Sequence, residues 1–101
     1  MAVTKVIRYT TKPEWAEENA RLVGEVYAEL ADHSPAGLQY ATLRLDDGVS
    51  FVHIAVLDGE VNPLSTSPAF GAFQAALGDR LATGPEPSDA TVVGNYRLLP
   101  E

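Results

Sequence analysis

The sequence predicts an α+β sandwich with the element order βαββαβ, the ferredoxin-like arrangement, and three observations carry that prediction. A long amphipathic helical segment follows a first β-type run. Two further β-type runs are joined by Asp46-Asp47-Gly48, and a shorter helical stripe precedes a last β-type run. The pattern spans nearly all of the 101 residues, so 1–101 reads as one domain, long enough to build a core without staples.

Residues 2–10 read as the first strand, rich in Val, Ile, Tyr and Thr. Thr11 or Lys12 then sits at a helix cap, with Pro13 at the first helical position. Glu14, Glu17 and Glu18 complement the positive end of that helix. It is expected to run to about Asp32. At 100° per residue, Trp15, Asn19, Leu22, Val23, Val26, Tyr27 and Leu30 fall within an arc of roughly 140°, and the charged residues take the other side. His33-Ser34-Pro35-Ala36-Gly37 stops the helix.

Residues 38–45 and 49–57 read as two strands, and Asp46-Asp47-Gly48 is a strong hairpin signal between them. Residues 58–66, with Gly59 and Pro63, read as a loop. Ser67 caps a second helix, Pro68 occupies its first position, and Phe70, Phe73, Leu77 and Leu81 form its apolar stripe. Thr83-Gly84-Pro85-Glu86-Pro87-Ser88 is expected to break the chain before a final strand over 90–99. The expected sheet is antiparallel, in the order 4-1-3-2, with both helices on one face.

Composition removes several classes of function. Without cysteine there is no disulfide framework, thiol nucleophile or thiolate metal site. Fourteen acidic residues against seven basic ones give a net charge of −7. The seven basic residues are scattered, so neither nucleic acid nor an anionic membrane is an expected partner. No apolar run approaches the roughly 20 residues of a membrane helix, and MAVTKVIRYT lacks the pattern of a secretory signal. A cytoplasmic location is the default. Two histidines distant in sequence make no metal-site pattern, and GxSxG, P-loop and GxGxxG motifs are all missing.

A few residues stand out against this background. Asn19 lies at the middle of an apolar arc, where an amide loses water and must find partners. Gln74 repeats the observation beside Phe70 and Leu77 on the second helix. Each either bonds locally or lines a cavity between helix and sheet. In the third strand, alternation puts Phe51, His53 and Ala55 on one face and Val52, Ile54 and Val56 on the other. The aliphatic face reads as ordinary core; the mixed face looks into a pocket or towards a second subunit. A histidine there has the proton affinity of a base near neutrality, or is a satisfied interior histidine. Tyr40, Thr42 and Arg44 share a face of the second strand, and Tyr9, Tyr40 and Tyr96 offer aromatic walls. Arg8, Arg44 and Arg97 read either as partners for a substrate enolate or carboxylate or as ion-pair partners for the many acids.

VIRYTTKPEW, LRLDDGVSFVHIAVLDG and SPAFGAFQAAL before VVGNYRLL resemble the dimeric α/β barrel superfamily, and within it the antibiotic biosynthesis monooxygenase-like domains. That resemblance implies a ferredoxin-like protomer whose sheet packs on a second copy, closing a barrel. Functions in the superfamily include cofactor-free oxygenation of polycyclic aromatics, haem degradation and lactone isomerisation. The chain departs from the pattern in three places. Leu57 stands where members often carry Trp. Gln74 stands where the haem-degrading branch has its histidine ligand, and Val6 near that branch's Asn.

Two functional readings stand. One is a cofactor-independent monooxygenase acting on an aromatic or polyketide-like molecule, with His53 as catalytic base. Asn19 and Gln74 would then orient oxygen atoms, and Trp15, Phe70 and Phe73 would form the substrate-binding walls. This reading calls for neither cofactor nor metal. The other is a homodimer that binds a small ligand or serves a structural role without chemistry.

Overall fold

Alternation along the central strand decides which side chains meet the helices and which face outward. The structure is a computed structural model describing residues 3–58 and 62–98; Ala2, Gly59 and Leu99, which belong to expected elements, lie outside the described residues. Strand β1 spans Val3–Thr11, helix α1 Ala16–His33, β2 Leu38–Arg44 and β3 Ser50–Leu57. Helix α2 spans Pro68–Ala75, α3 Leu77–Arg80 and β4 Leu81–Ala90. The sheet order is β2-β3-β1-β4, all antiparallel, with the helices on one face. This is the expected ferredoxin-like topology.

Tyr9 sits opposite Phe51 and Ile7 opposite His53 in the β1–β3 register, and Thr42 sits opposite His53 from β2. These residues form the helix-facing side. Tyr9, Phe51, Val23, Val26, Leu64 and Phe73 make the core, all buried. The face of β3 that holds Phe51, His53 and Ala55 is therefore the interior one, and these three are buried. The aliphatic Val52, Ile54 and Val56, expected in the core, are only half-buried on the outer face. Burial followed the polar network described below rather than side-chain hydropathy.

α1 is preceded by a single 3-10 turn at Pro13–Trp15. Because residues advance by about 120° in a 3-10 turn rather than 100°, Trp15 leaves the apolar arc of α1 and is 41% exposed. α1 ends at Ser34, whose left-handed φ of 45° lets its N–H reach the Leu30 carbonyl at 2.8 Å. The β2–β3 turn is braced by Asp47, whose carboxylate accepts from the Val49 and Ser50 N–H groups at 3.0 and 2.8 Å. α2 is capped by Ser67 Oγ, which accepts from Phe70 N–H at 3.0 Å.

Two expectations for the C-terminal third are corrected. Leu81, expected on the helical stripe, is the first residue of β4. Helical geometry is interrupted at Ala76, and Arg80 C=O then accepts from Lys12 N–H at 2.8 Å, which draws the chain onto the end of β1. The last strand lies at 81–90, over the segment expected to break the chain, and residues 91–98 are not strand. Pro85 and Pro87 are tolerated because β4 is an edge strand. Thr10 pairs with Thr83 and Arg8 with Glu86, so three steps of β4 match two of β1. Gly84 sits in this bulge with φ +96°, and a Cβ there would lie 3.0 Å from both Arg8 C=O and Tyr9 Cβ. Residues 91–98, although strand-like in composition, find no place in the sheet and are exposed.

Candidate active-site cavity

The β1 register places Tyr9 beneath α1, where Asn19 projects from the middle of the buried stripe. Asn19 Nδ2 donates to the Tyr9 hydroxyl at 2.9 Å, and Asn19 is fully buried. The Tyr9 hydroxyl lies 2.8 Å from His53 Nε2. On the other side of the ring, His53 Nδ1 lies 2.6 Å from the Tyr40 hydroxyl and 3.2 Å from Thr42 Oγ1. Thr42 Oγ1 is in turn 2.8 Å from the Tyr27 hydroxyl. At the far end, Arg80 Nε donates to Asn19 Oδ1 at 3.1 Å and its Nη2 donates to the Phe73 carbonyl at 2.6 Å. One continuous chain of hydrogen bonds thus runs from Arg80 to Tyr27.

Arg80 is 2% exposed, and among the described residues no carboxylate forms an ion pair with it. A buried charge of this kind needs compensation. Besides its two hydrogen bonds, the guanidinium lies 5.3 Å from the centre of the Phe73 ring, a cation–π contact. Burial holds its proton affinity below the usual arginine range. Among the described residues, no buried side-chain nitrogen or oxygen lacks a partner.

A cavity of about 230 Å³ opens between the inner sheet face and α2. Its floor carries Ile7, Tyr9, Tyr40 and His53; Phe70, Phe73, Gln74 and Leu77 come from the helical side, and Pro85 and Pro87 from β4. The ring centres of Phe73 and His53 are 5.5 Å apart, and those of Phe70 and Phe73 6.0 Å. α2 is held over the floor by Glu29, whose carboxylate accepts from Ser67 Oγ at 2.5 Å and from Ala69 N–H at 3.1 Å. The Ser67 hydrogen bond holds the Glu29 carboxyl below its usual range. A larger depression of about 350 Å³ beside Tyr27, Leu30, Pro35 and Leu38 is shallower and lacks the imidazole.

The structure brings His53, Phe70, Phe73 and Gln74 together around one cavity. It does not bring Trp15 there, because the 3-10 turn rotates it outward, and it sets Asn19 behind Tyr9 rather than on the cavity wall. Sequence reading passed over Arg80, grouped with the scattered surface cations. The signal was present: Phe73, Leu77 and Arg80 share a helical face at i, i+4 and i+7. Pro85 and Pro87 escaped notice because β4 read as a loop.

Burial pushes the His53 imidazole down to about 4 from an ordinary value near 6.5, so it is neutral at pH 7. Burial also pushes Tyr9 up to about 12, and raises Tyr40 above its ordinary value. The two phenols therefore stay protonated. Between about pH 6.5 and about 4, the unfolded chain binds a proton at His53 that the folded chain does not. Stability from this group is complete above pH 6.5 and is lost as pH falls, by on the order of 3 kcal/mol. Urea unfolding at pH 7 and pH 4.5 should show a markedly larger loss in the natural protein than in His53→Gln. Equal losses in the two proteins would contradict this assignment.

No family model and no curated protein matches the chain. Solved structures do. A protein from Bacteroides thetaiotaomicron, provisionally named an antibiotic biosynthesis monooxygenase, is 16% identical; the match covers 98% of this chain and 96% of that one, with a TM-score of 0.80. A similarly named Caulobacter crescentus protein is 18% identical over 92% and 91%, with a TM-score of 0.72. SnoaB from Streptomyces nogalater, described as a cofactor-independent oxygenase, is 23% identical over 95% and 97%, with a TM-score of 0.68. This chain has the ferredoxin-like fold of the antibiotic biosynthesis monooxygenase-like domains.

Proposed function

We propose that the cavity binds a small aromatic molecule with an acidic C–H group and promotes its oxygenation without a cofactor. The observation that carries this reading is an imidazole on the floor of an aromatic-walled cavity, bonded on both sides to phenols. In the reaction, an activated CH₂ loses a proton and the carbanion gives electrons to O₂. One oxygen atom becomes the new carbonyl and the other leaves as water, so CH₂ plus O₂ gives C=O plus H₂O. The substrate itself is the reductant.

His53 is the final acceptor of the proton in this scheme. Both its nitrogens are engaged, so the proton travels through the Tyr9 hydroxyl, which passes its own hydrogen to Nε2. Burial makes the imidazole a weak base, but an enolate formed beside it raises its proton affinity. Phe70 and Phe73 are the walls, and exposed Gln74 orients an oxygen atom at the mouth. Asn19 acts indirectly, by holding Tyr9. The volume is below the ~300–1,000 Å³ of pockets for drug-sized ligands, which favours a compact rigid ring system.

Oxygen uptake with anthrone, measured against a buffer blank, tests the reading. Uptake should exceed the blank and fall by roughly tenfold or more in His53→Ala, with folding checked by circular dichroism. Uptake equal to the blank would favour the second reading, a ligand-binding dimer without chemistry. That alternative draws support from the pairing of every buried side-chain nitrogen and oxygen among the described residues.

The outer sheet face supports a homodimer under either reading. Leu43 is 49% exposed, and Val52, Ile54 and Val56 are half-buried around it; Val93 and Leu98 beyond β4 are exposed as well. A contiguous apolar face on a small protomer is stabilised by covering it, and a symmetric second copy does so with the same residues. Sedimentation at micromolar concentration should give twice the chain mass, and Ile54→Lys should shift the protein towards a single-chain species. A single-chain mass for the natural protein would contradict the dimer.

A further inference from the structure

Hydrogen-bond direction along the buried chain is set at its cationic end. A guanidinium only donates, so the Asn19 atom facing Arg80 Nε at 3.1 Å is the oxygen, and the amide nitrogen faces Tyr9 at 2.9 Å. The Tyr9 oxygen therefore accepts from Asn19. Its own hydrogen goes to its other partner, His53 Nε2, at 2.8 Å. A neutral imidazole that accepts at Nε2 carries its hydrogen on Nδ1, which donates to the Tyr40 oxygen at 2.6 Å. The Tyr40 hydrogen then points away from His53.

The reverse direction would leave the Tyr9 hydrogen over instead. Tyr9 is 2% exposed, so an unmet donor there carries its full desolvation penalty. Tyr40 is half-buried and lines the cavity, where a ligand can meet its hydrogen. Thr42 also lies within reach of the Tyr40 phenol while bonded to Tyr27 at 2.8 Å, and a hydroxyl oxygen can accept two hydrogens, so a ligand oxygen competes with Thr42 for the Tyr40 hydrogen.

We infer that Arg80 and Asn19 are positioning residues that fix this direction, so that Tyr40 offers the cavity a hydrogen-bond donor and the ligand is a compact aromatic carrying a carbonyl or enolate oxygen. The inference rests on the cavity being a ligand site, as proposed above. It divides the labour between the two phenols: Tyr9 relays a proton to His53, and Tyr40 holds the ligand oxygen. Neither Arg80 nor Asn19 touches the ligand.

Nitrogen-15 NMR of the labelled protein at pH 7 reads the imidazole directly, and the result expected is a hydrogen on Nδ1 with Nε2 bare. Indan-1-one and indane then serve as probes that differ in the carbonyl oxygen. The ratio of their affinities, ketone over hydrocarbon, should fall about three- to tenfold in Tyr40→Phe, the usual effect of losing one neutral hydrogen bond. Asn19→Asp is the decisive variant. The introduced carboxylate pairs with Arg80 and accepts from Tyr9, reversing every bond beyond it, so the His53 hydrogen should move to Nε2 and the ketone preference should disappear.

A hydrogen on Nε2 in the natural protein would overturn the inference. So would an affinity ratio unchanged by Tyr40→Phe, or no binding of either probe at millimolar concentration. If Asn19→Asp does not fold, the other two measurements still decide. Ketone preference without oxygen uptake from anthrone upholds this inference and removes the oxygenase reading.

Discussion

One phenol oxygen, that of Tyr9, ties together the parts on which everything else depends. It receives a hydrogen bond from Asn19 on α1 and meets His53 on β3, so helix and sheet are joined at a buried polar point. Removing either partner strands a buried polar group at a cost of about 1–3 kcal/mol. In the weakly polar interior such bonds reinforce one another. The same low polarity makes Arg80 expensive to bury. It is offset by the Asn19 oxygen, the Phe73 carbonyl and the Phe73 ring face, with the Glu18 carboxylate acting at longer range.

Phe73 links this network to the cavity. Its carbonyl satisfies Arg80 while its ring packs near Tyr9 and His53, at centroid distances of 6.4 and 5.5 Å. Glu29 fastens the start of α2 to α1, which fixes the height of the roof over the sheet. On the floor, each buried side-chain nitrogen and oxygen has a hydrogen-bond partner among the described residues. Exposed Gln74 and the prolines of edge strand β4 complete the lining, with Pro87 set opposite Ile7 by the β1–β4 register.

Much of the frame was legible because it rests on local periodicity. The α1 stripe, the Asp47 turn and the Ser67-Pro68 cap all appear where their patterns put them. What failed did so for physical reasons. Alternation sorts β3 into two faces but does not say which is inside, and hydropathy alone pointed to the aliphatic one. The interior accepted His53 because Tyr9 and Tyr40 meet its two ring nitrogens and Asn19 meets Tyr9, a condition visible only once distant elements are brought together. β4 was hidden by its prolines, which an edge strand tolerates and a central one does not. Trp15 was placed by helical phase, and a single 3-10 turn shifts that phase.

The central claim is that the buried polar groups act as one connected chain. The most direct test is a double-mutant cycle between Tyr9→Phe and Arg80→Met, read as unfolding free energy in urea. These two side chains share no hydrogen bond with each other, and Asn19 connects them. A connected chain predicts a coupling energy clearly above about 0.5 kcal/mol. Effects that simply add within that margin would mean that the groups are separate local contacts, and would contradict the account.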